Sequence, residues 1–192
     1  MPETATRTLS TADARRGAVV SSAIATFARG GYQTTPISAV AEHAGISPAY
    51  VSKLFASKVA LFVAAIDECY KQIADTLEHA AENAQPASPE EVLHAMGGAY
   101  AALIADRDLL MLQVHAQAAT DVPEIAAAVR RGVGRITEVA TNVSHADGEH
   151  VQRFVAFGQL CHLLTTIDAF DVDAAWVAVL TDGIRHSTAE RR

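Results

Sequence analysis

The chain has 192 residues, 50% of them hydrophobic and 19% charged, with 15 Lys and Arg against 22 Asp and Glu for a formal net charge of −7. This composition excludes a disordered or fibrous chain, and the length suffices for one large or two small domains that bury roughly 70% of the extended surface. Two cysteines, Cys69 and Cys161, are too few for a disulfide framework, and the opening MPETATRTLSTADARRG has no apolar core for a signal peptide. No uncharged run, Phe154 to Ile167 being among the longest, reaches the ~18 residues of a membrane helix. The expectation is a cytoplasmic protein without a membrane partner.

Abundant Ala and Leu, with apolar positions recurring at three and four residues, predict an all-α fold of about nine helices. In chain order the predicted elements are 10–29, 36–43, 47–54, 57–83, 89–105, 107–119, 123–143, 147–169 and 173–187. Three of them open on a hydroxyl residue followed by proline: Thr35-Pro36, Ser47-Pro48 and Ser88-Pro89. Ser88 is followed three residues later by Glu91, the spacing of a capping box. Breaks are expected at Gly30-Gly31, Gly45, Gln85-Pro86, Asp121-Val122-Pro123, the stretch from His145 to Gly148, and Asp171.

The charge is unevenly distributed. Residues 1–58 hold six basic and three acidic residues, a net +3, while residues 59–192 hold nine basic and 19 acidic ones, a net −10. This pattern suits a small basic module on an acidic body. Within the module, the element over 36–43, the turn Ala44-Gly45-Ile46 and the element from Pro48 have the outline of a helix-turn-helix, with Gly45 at a position needing positive φ. Val40, Ile46, Val51 and Phe55 would form its shared core. An ordinary helical hairpin has the same outline. The exposed chemistry separates the two readings, because Pro48, Ala49, Tyr50 and Lys53 would face outward where base edges and phosphates can be met. Thr35, Ser47 and Ser57 place hydroxyls at helix starts, and Lys58 is a cation in a first helical turn, where the dipole disfavours it unless it meets a phosphate.

Gly31-Tyr32, Thr35, Ala41, Gly45-Ile46-Ser47, Phe55, Ser57-Lys58 and Leu61 stand in register with the N-terminal pattern of the tetracycline-repressor-like (TetR) family, which the sequence resembles over about 50 residues. Phe27 is similar to the family's aromatic on the preceding helix. The recognition helix departs from the pattern. Ala49-Tyr50-Val51-Ser52 stands where the family often has Gly-x-Leu-Tyr, so Ser52 occupies the usual phosphate-contacting tyrosine position, and Leu54 replaces a common polar residue. The resemblance implies a DNA-binding domain over 1–56 and a ligand-binding and dimerisation domain over 57–192. It implies DNA contacts from Thr35, Ser47, Pro48, Ala49, Tyr50, Ser52, Lys53 and Lys58.

In the acidic body, the elements over 147–169 and 173–187 are joined by a short break and are expected to pack antiparallel. Two from each subunit would make a four-helix homodimer interface; ordinary core packing is the other reading. The run Leu109 to Gln117 is apolar around most of its circumference, so Gln113, His115 and Gln117 are either satisfied core polar groups or pocket groups. Tyr70, Met96, Tyr100, Met111, Phe154 and Phe157 are candidates for the apolar wall of a pocket.

No zinc spacing is present, and Cys161 and His162 point about 100° apart on a helix, so no metal is expected. Neither Gly-x-Ser-x-Gly, a phosphate-cradling glycine loop nor His-Glu-x-x-His occurs, so neither an enzyme nor a cofactor is expected. The expected partners are a double-stranded DNA operator, a small-molecule effector and a second copy of the chain. The implied function is a ligand-responsive, homodimeric repressor released from a palindromic operator. A helical ligand-binding or scaffold protein with a helix-turn-helix that does not bind DNA is the alternative.

Overall fold

The computed structural model describes residues 11–84 and 88–184. Among them are nine α-helices: α1 (Thr11–Thr34), α2 (Ile37–His43), α3 (Pro48–Leu54), α4 (Lys58–Asn83), α5 (Pro89–Leu103), α6 (Arg107–Ala118), α7 (Pro123–Ser144), α8 (Gly148–Thr166) and α9 (Ala175–Thr181), with a 3-10 turn at Ala169–Asp171. The all-α reading holds, and most helix starts follow the local signals. Ser47 Oγ accepts from the Tyr50 N–H at 3.2 Å, Ser57 Oγ from Ala60 at 3.1 Å, and Ser88 and Glu91 form the reciprocal capping box. Asp106 and Asp147 cap α6 and α8 in the same way.

Two expectations need correction. The final helix covers Ala175–Thr181, not 173–187: Gly183, at φ 76°, turns the chain, and Ile184 packs back against the core. Asp182-Gly183 is a C-terminal stop signal that the apolar periodicity outweighed. The antiparallel pairing of two long helices is also absent. α8 ends at Thr166, Asp168 adopts φ 52°, and α9 packs chiefly against the 3-10 turn. At the other end of the chain, α1 continues one turn past the expected break, kinked at Gly31 with φ 71°. The expected break at Gln85-Pro86 and the last residues of the 173–187 element lie outside the described residues.

One continuous core runs from the first three helices into the body. At the junction the Phe27 ring meets Phe62 edge-on at 4.7 Å between centroids, and Tyr32 lies 5.2 Å from Phe62. α4 is the central element, packed on α1, α5 and α7, while α1 also lies along α6. Where α7 crosses α4, Gly132 sits against the buried Tyr70 ring; a Cβ there would stand inside van der Waals contact of three ring atoms, Cδ1 at 2.7 Å. Arg131 to Asp67 at 2.9 Å and Arg135 to Asp75 at 3.3 Å flank this crossing. Both pairs are about half exposed and contribute ~0.5 kcal/mol each, so the crossing is held by its buried side chains.

The starts of α5 and α8 are linked through His150, whose Nδ1 lies 2.7 Å from Asp147 Oδ1 and whose Nε2 lies 3.1 Å from Glu90 Oε1. The hydrogen bond and charge of Asp147, with those of Glu90, raise the imidazole pKa above its ordinary 6.5. A raised folded value means that the protonated ring favours the folded state. This contribution is fully present below the unfolded value and is lost as pH rises through the raised one. The melting-temperature difference between the native chain and His150→Gln should therefore shrink as pH rises from below the ordinary 6.5 through the raised value; a difference independent of pH would rule out the charged tether.

Among the described residues, no single helix is long and apolar enough to cross a membrane; α3 and α4 meet that test only as a pair, and they are bent 70° apart.

Candidate nucleic-acid interface and core cavity

α2 and α3 form the expected turn-linked pair. Gly45 adopts φ 66°, its N–H donates to Glu42 O at 3.1 Å, and the Ile46 N–H returns to Ala41 O at 3.0 Å. A Cβ at Gly45 would meet nothing within 4 Å, so the backbone angle alone favours glycine there. Val40, Ala41, Val51 and Phe55 are buried beneath the pair, and Ile46 and Leu54 pack at its margin. The outward face of α3 consists of Ser47, Pro48, Ala49, Ser52 and Lys53, all exposed, with Tyr50 half-buried beside them. Small and hydroxyl side chains followed by a cation make a surface that approaches a polyanion closely without steric hindrance.

Three cationic or hydroxyl positions make contacts that the sequence did not reveal. Lys58 Nζ donates to Gln33 O at 3.0 Å and lies 5.0 Å from the Tyr32 ring centroid. It therefore serves the carbonyl end of α1, a contact that itself accounts for a cation in the first turn of α4. Thr35 is 4% exposed, its side chain packed against Gly30, and makes no cap for α2. Arg16, which sequence reasoning passed over, donates to Leu54 O at 2.7 Å with its guanidinium 4.1 Å from the Phe55 ring centroid. It clamps the end of α3 to α1, 38 residues away in the chain.

In the body, Tyr70, Tyr100, Gln113 and Phe154 come together around a core cavity of about 40 Å³ between α4, α5, α6, α7 and α8. The Tyr100 hydroxyl donates to Gln113 Oε1 at 3.4 Å, and Gln113 Nε2 donates to Leu109 O at 3.1 Å. Burial pushes the Tyr70 hydroxyl up to about 12 and raises Tyr100 as well, so both remain neutral phenols. Phe154 and Phe157 line a second, outer groove of about 270 Å³ with Glu90, His94, His150 and Arg153. Met96 is fully buried core, Met111 is half-buried, and Gln117 is exposed; none of the three lines either space. His115 faces the other way, toward α1, where a Cβ on Gly31 would stand 2.8 Å from its Nδ1.

Residues 19–65, which span most of α1, all of α2 and α3 and the beginning of α4, match the family model described as bacterial regulatory proteins, tetR family. They form a TetR-type N-terminal domain.

The TetR-type fold extends through the body. A TetR-family transcriptional regulator from Agrobacterium tumefaciens superposes with a TM-score of 0.66 at 20% identity, over 90% of this chain and 96% of that one. The transcriptional regulator FadR from Bacillus subtilis, solved in complex with stearoyl-CoA, gives 0.68 at 15% identity over 88% and 95%. The multidrug binding protein EbrR, solved with imidazole, gives 0.63 at 18% over 91% and 97%. No curated protein matches by sequence. Against the TetR-type pattern, the position usually held by a phosphate-contacting tyrosine presents the exposed Ser52, while Tyr50 lies half-buried at the start of the same helix.

Proposed function

We propose that the protein is a homodimeric, effector-released repressor that reads a palindromic operator with α3. The observation that carries this reading is the outward face of α3, where Ser47, Pro48, Ala49, Ser52 and Lys53 are exposed on a helix fixed from behind by Val51, Phe55 and the Arg16 clamp. Lys53 is exposed and makes no ion pair among the described residues, which suits a phosphate contact. The acidic body would oppose non-specific binding by repulsion.

Homodimerisation is supported by an apolar surface on α8, the following segment and α9. Leu163 and Ile167 are each 53% exposed, Trp176 47% and Val179 75%. Contiguous exposed apolar side chains of this size mark an interaction face. A twofold copy would place two α3 helices in successive major grooves, with centres about 34 Å apart. Effector release requires a ligand that binds the two conformations unequally. The similar folds solved with stearoyl-CoA and with imidazole support a small-molecule effector.

The test is a gel shift and footprint on DNA upstream of the protein's own gene at two salt concentrations. Affinity should fall steeply with salt, because each neutralised phosphate releases counterions. Lys53→Ala should lower the logarithmic salt slope by about one for every sequence tested. Lys58→Ala should leave that slope unchanged while lowering the melting temperature, since its ammonium serves the Gln33 carbonyl. A protein with no salt-dependent DNA affinity would be the scaffold instead.

A further inference from the structure

Resting on the reading of the body as an effector domain, we propose that the core cavity takes an uncharged, mainly apolar molecule that presents one hydrogen-bond acceptor to the Tyr70 hydroxyl. Tyr70 is only 4% exposed and lines the cavity, yet its hydroxyl has no hydrogen-bond partner among the described residues. Native chains rarely leave a buried hydroxyl unpaired, so such a group points to a function or a bound molecule. The neighbouring polar groups are already engaged, Tyr100 with Gln113 Oε1 and the Gln113 amide nitrogen with Leu109 O. The other polar liner, Gln159, is exposed at the solvent side. Tyr70 is thus the donor available to something entering the cavity.

The charge class follows from the wall. No Lys, Arg, Asp, Glu or His among the described residues lines this space; apart from the tyrosines and glutamines it is Ile, Leu, Val, Phe and Gly. An ion placed there would lose its hydration with no opposite charge to replace it. The −10 of the body therefore lies outside the cavity and does not select for a cation.

Size sets the remaining condition. About 40 Å³ holds a water but no organic molecule. Phe154 and Gly158 line both this cavity and the outer groove of about 270 Å³. Rotation of the Phe154 ring joins the two, with the glycine leaving the passage open; a Cβ on Gly158 would stand an ordinary 3.9 Å from Tyr100.

Three naphthalene probes test the proposal on the full chain without DNA. Prodan is neutral and carries a ketone acceptor, N-phenyl-1-naphthylamine is neutral without a carbonyl, and its 8-sulfonate is an anion on the same scaffold. Both neutral probes should bind, and the sulfonate should compete at least about tenfold more weakly at this site. Tyr70→Phe should weaken Prodan by about 3- to 10-fold and shift its emission to the blue, while leaving N-phenyl-1-naphthylamine unchanged. Gly158→Leu, which fills the junction, should weaken both neutral probes but not binding to the exposed α8–α9 face. Circular dichroism of each variant establishes that it is folded. The proposal is overturned if Prodan affinity and emission are the same in Tyr70→Phe, if the sulfonate competes equally, or if neither neutral probe binds, as for a cavity that holds only a structural water. Loss of DNA binding alone would sink the regulatory reading and leave this result standing.

Discussion

Leu163→Asp combined with Val179→Asp should yield a folded monomer whose affinity for a palindromic operator is lower by roughly 10² to 10⁴. Both side chains are more than half exposed, so neither contributes to the interior of the subunit, and its helicity and melting cooperativity should persist. In the proposed dimer the same positions are covered by the second copy, and a carboxylate at each would be buried without a partner charge. The large effect on DNA follows from the small charge of each reading head. With a net +3 over residues 1–58, one half-site is held weakly, and binding depends on the second head being delivered at high effective concentration. Sedimentation or light scattering reports the mass, and a gel shift on the same sample reports the affinity. A dimer that survives both substitutions would show that another face joins the subunits.

Gly132→Ala should destabilise the protein by about 2 kcal/mol, which lowers the melting temperature by roughly 4–8 °C in a chain of this size. Two effects compete. Alanine in the middle of a helix gains about 1 kcal/mol of propensity over glycine. Against this, the added methyl would overlap three atoms of the Tyr70 ring, which is buried between α4 and α7 and borders only the core cavity of about 40 Å³, too small to take the ring. With three ring atoms overlapped, the overpacking cost lies at or above the top of its usual range of about 1–3 kcal/mol, so the clash wins by about 2 kcal/mol. Thermal or urea unfolding measures the sum, and the double variant with Tyr70→Leu isolates the contact: the two substitutions together should cost less than the sum of each alone. A Gly132→Ala protein as stable as the native chain would show that the α4–α7 crossing is loosely packed.

The turn-linked pair illustrates what was legible. Gly45 at positive φ, Ser47 and Ser57 as caps, and the Ser88–Glu91 capping box all appear as expected. Each is a contact within four residues, determined by side chains that are neighbours in the chain. The short α9 shows the limit of the same reasoning, because the Asp182-Gly183 stop was outweighed by the apolar run Ala174 to Leu180 that precedes it.

The site divides along the same line. That Pro48, Ala49 and Lys53 face outward followed from the helical period once Val51, Leu54 and Phe55 were placed inside, whereas Tyr50, expected with them, is half-buried. Lys58 did not follow, because its partner is a carbonyl 25 residues earlier, and Arg16 did not, because it acts 38 residues away. Of the nine pocket candidates, Tyr70, Tyr100, Gln113 and Phe154 meet at the core cavity and Phe157 lines only the outer groove, while Gln113 and His115, two residues apart on α6, face opposite elements. The sequence by itself determined the order of the helices, their caps and the outward face of α3, since hydrogen bonds and helical periodicity act over a few residues. The tertiary structure decided which cation braces the fold, which tyrosine is left without a partner and where a glycine is indispensable, because burial and partner choice depend on which distant helices come into contact.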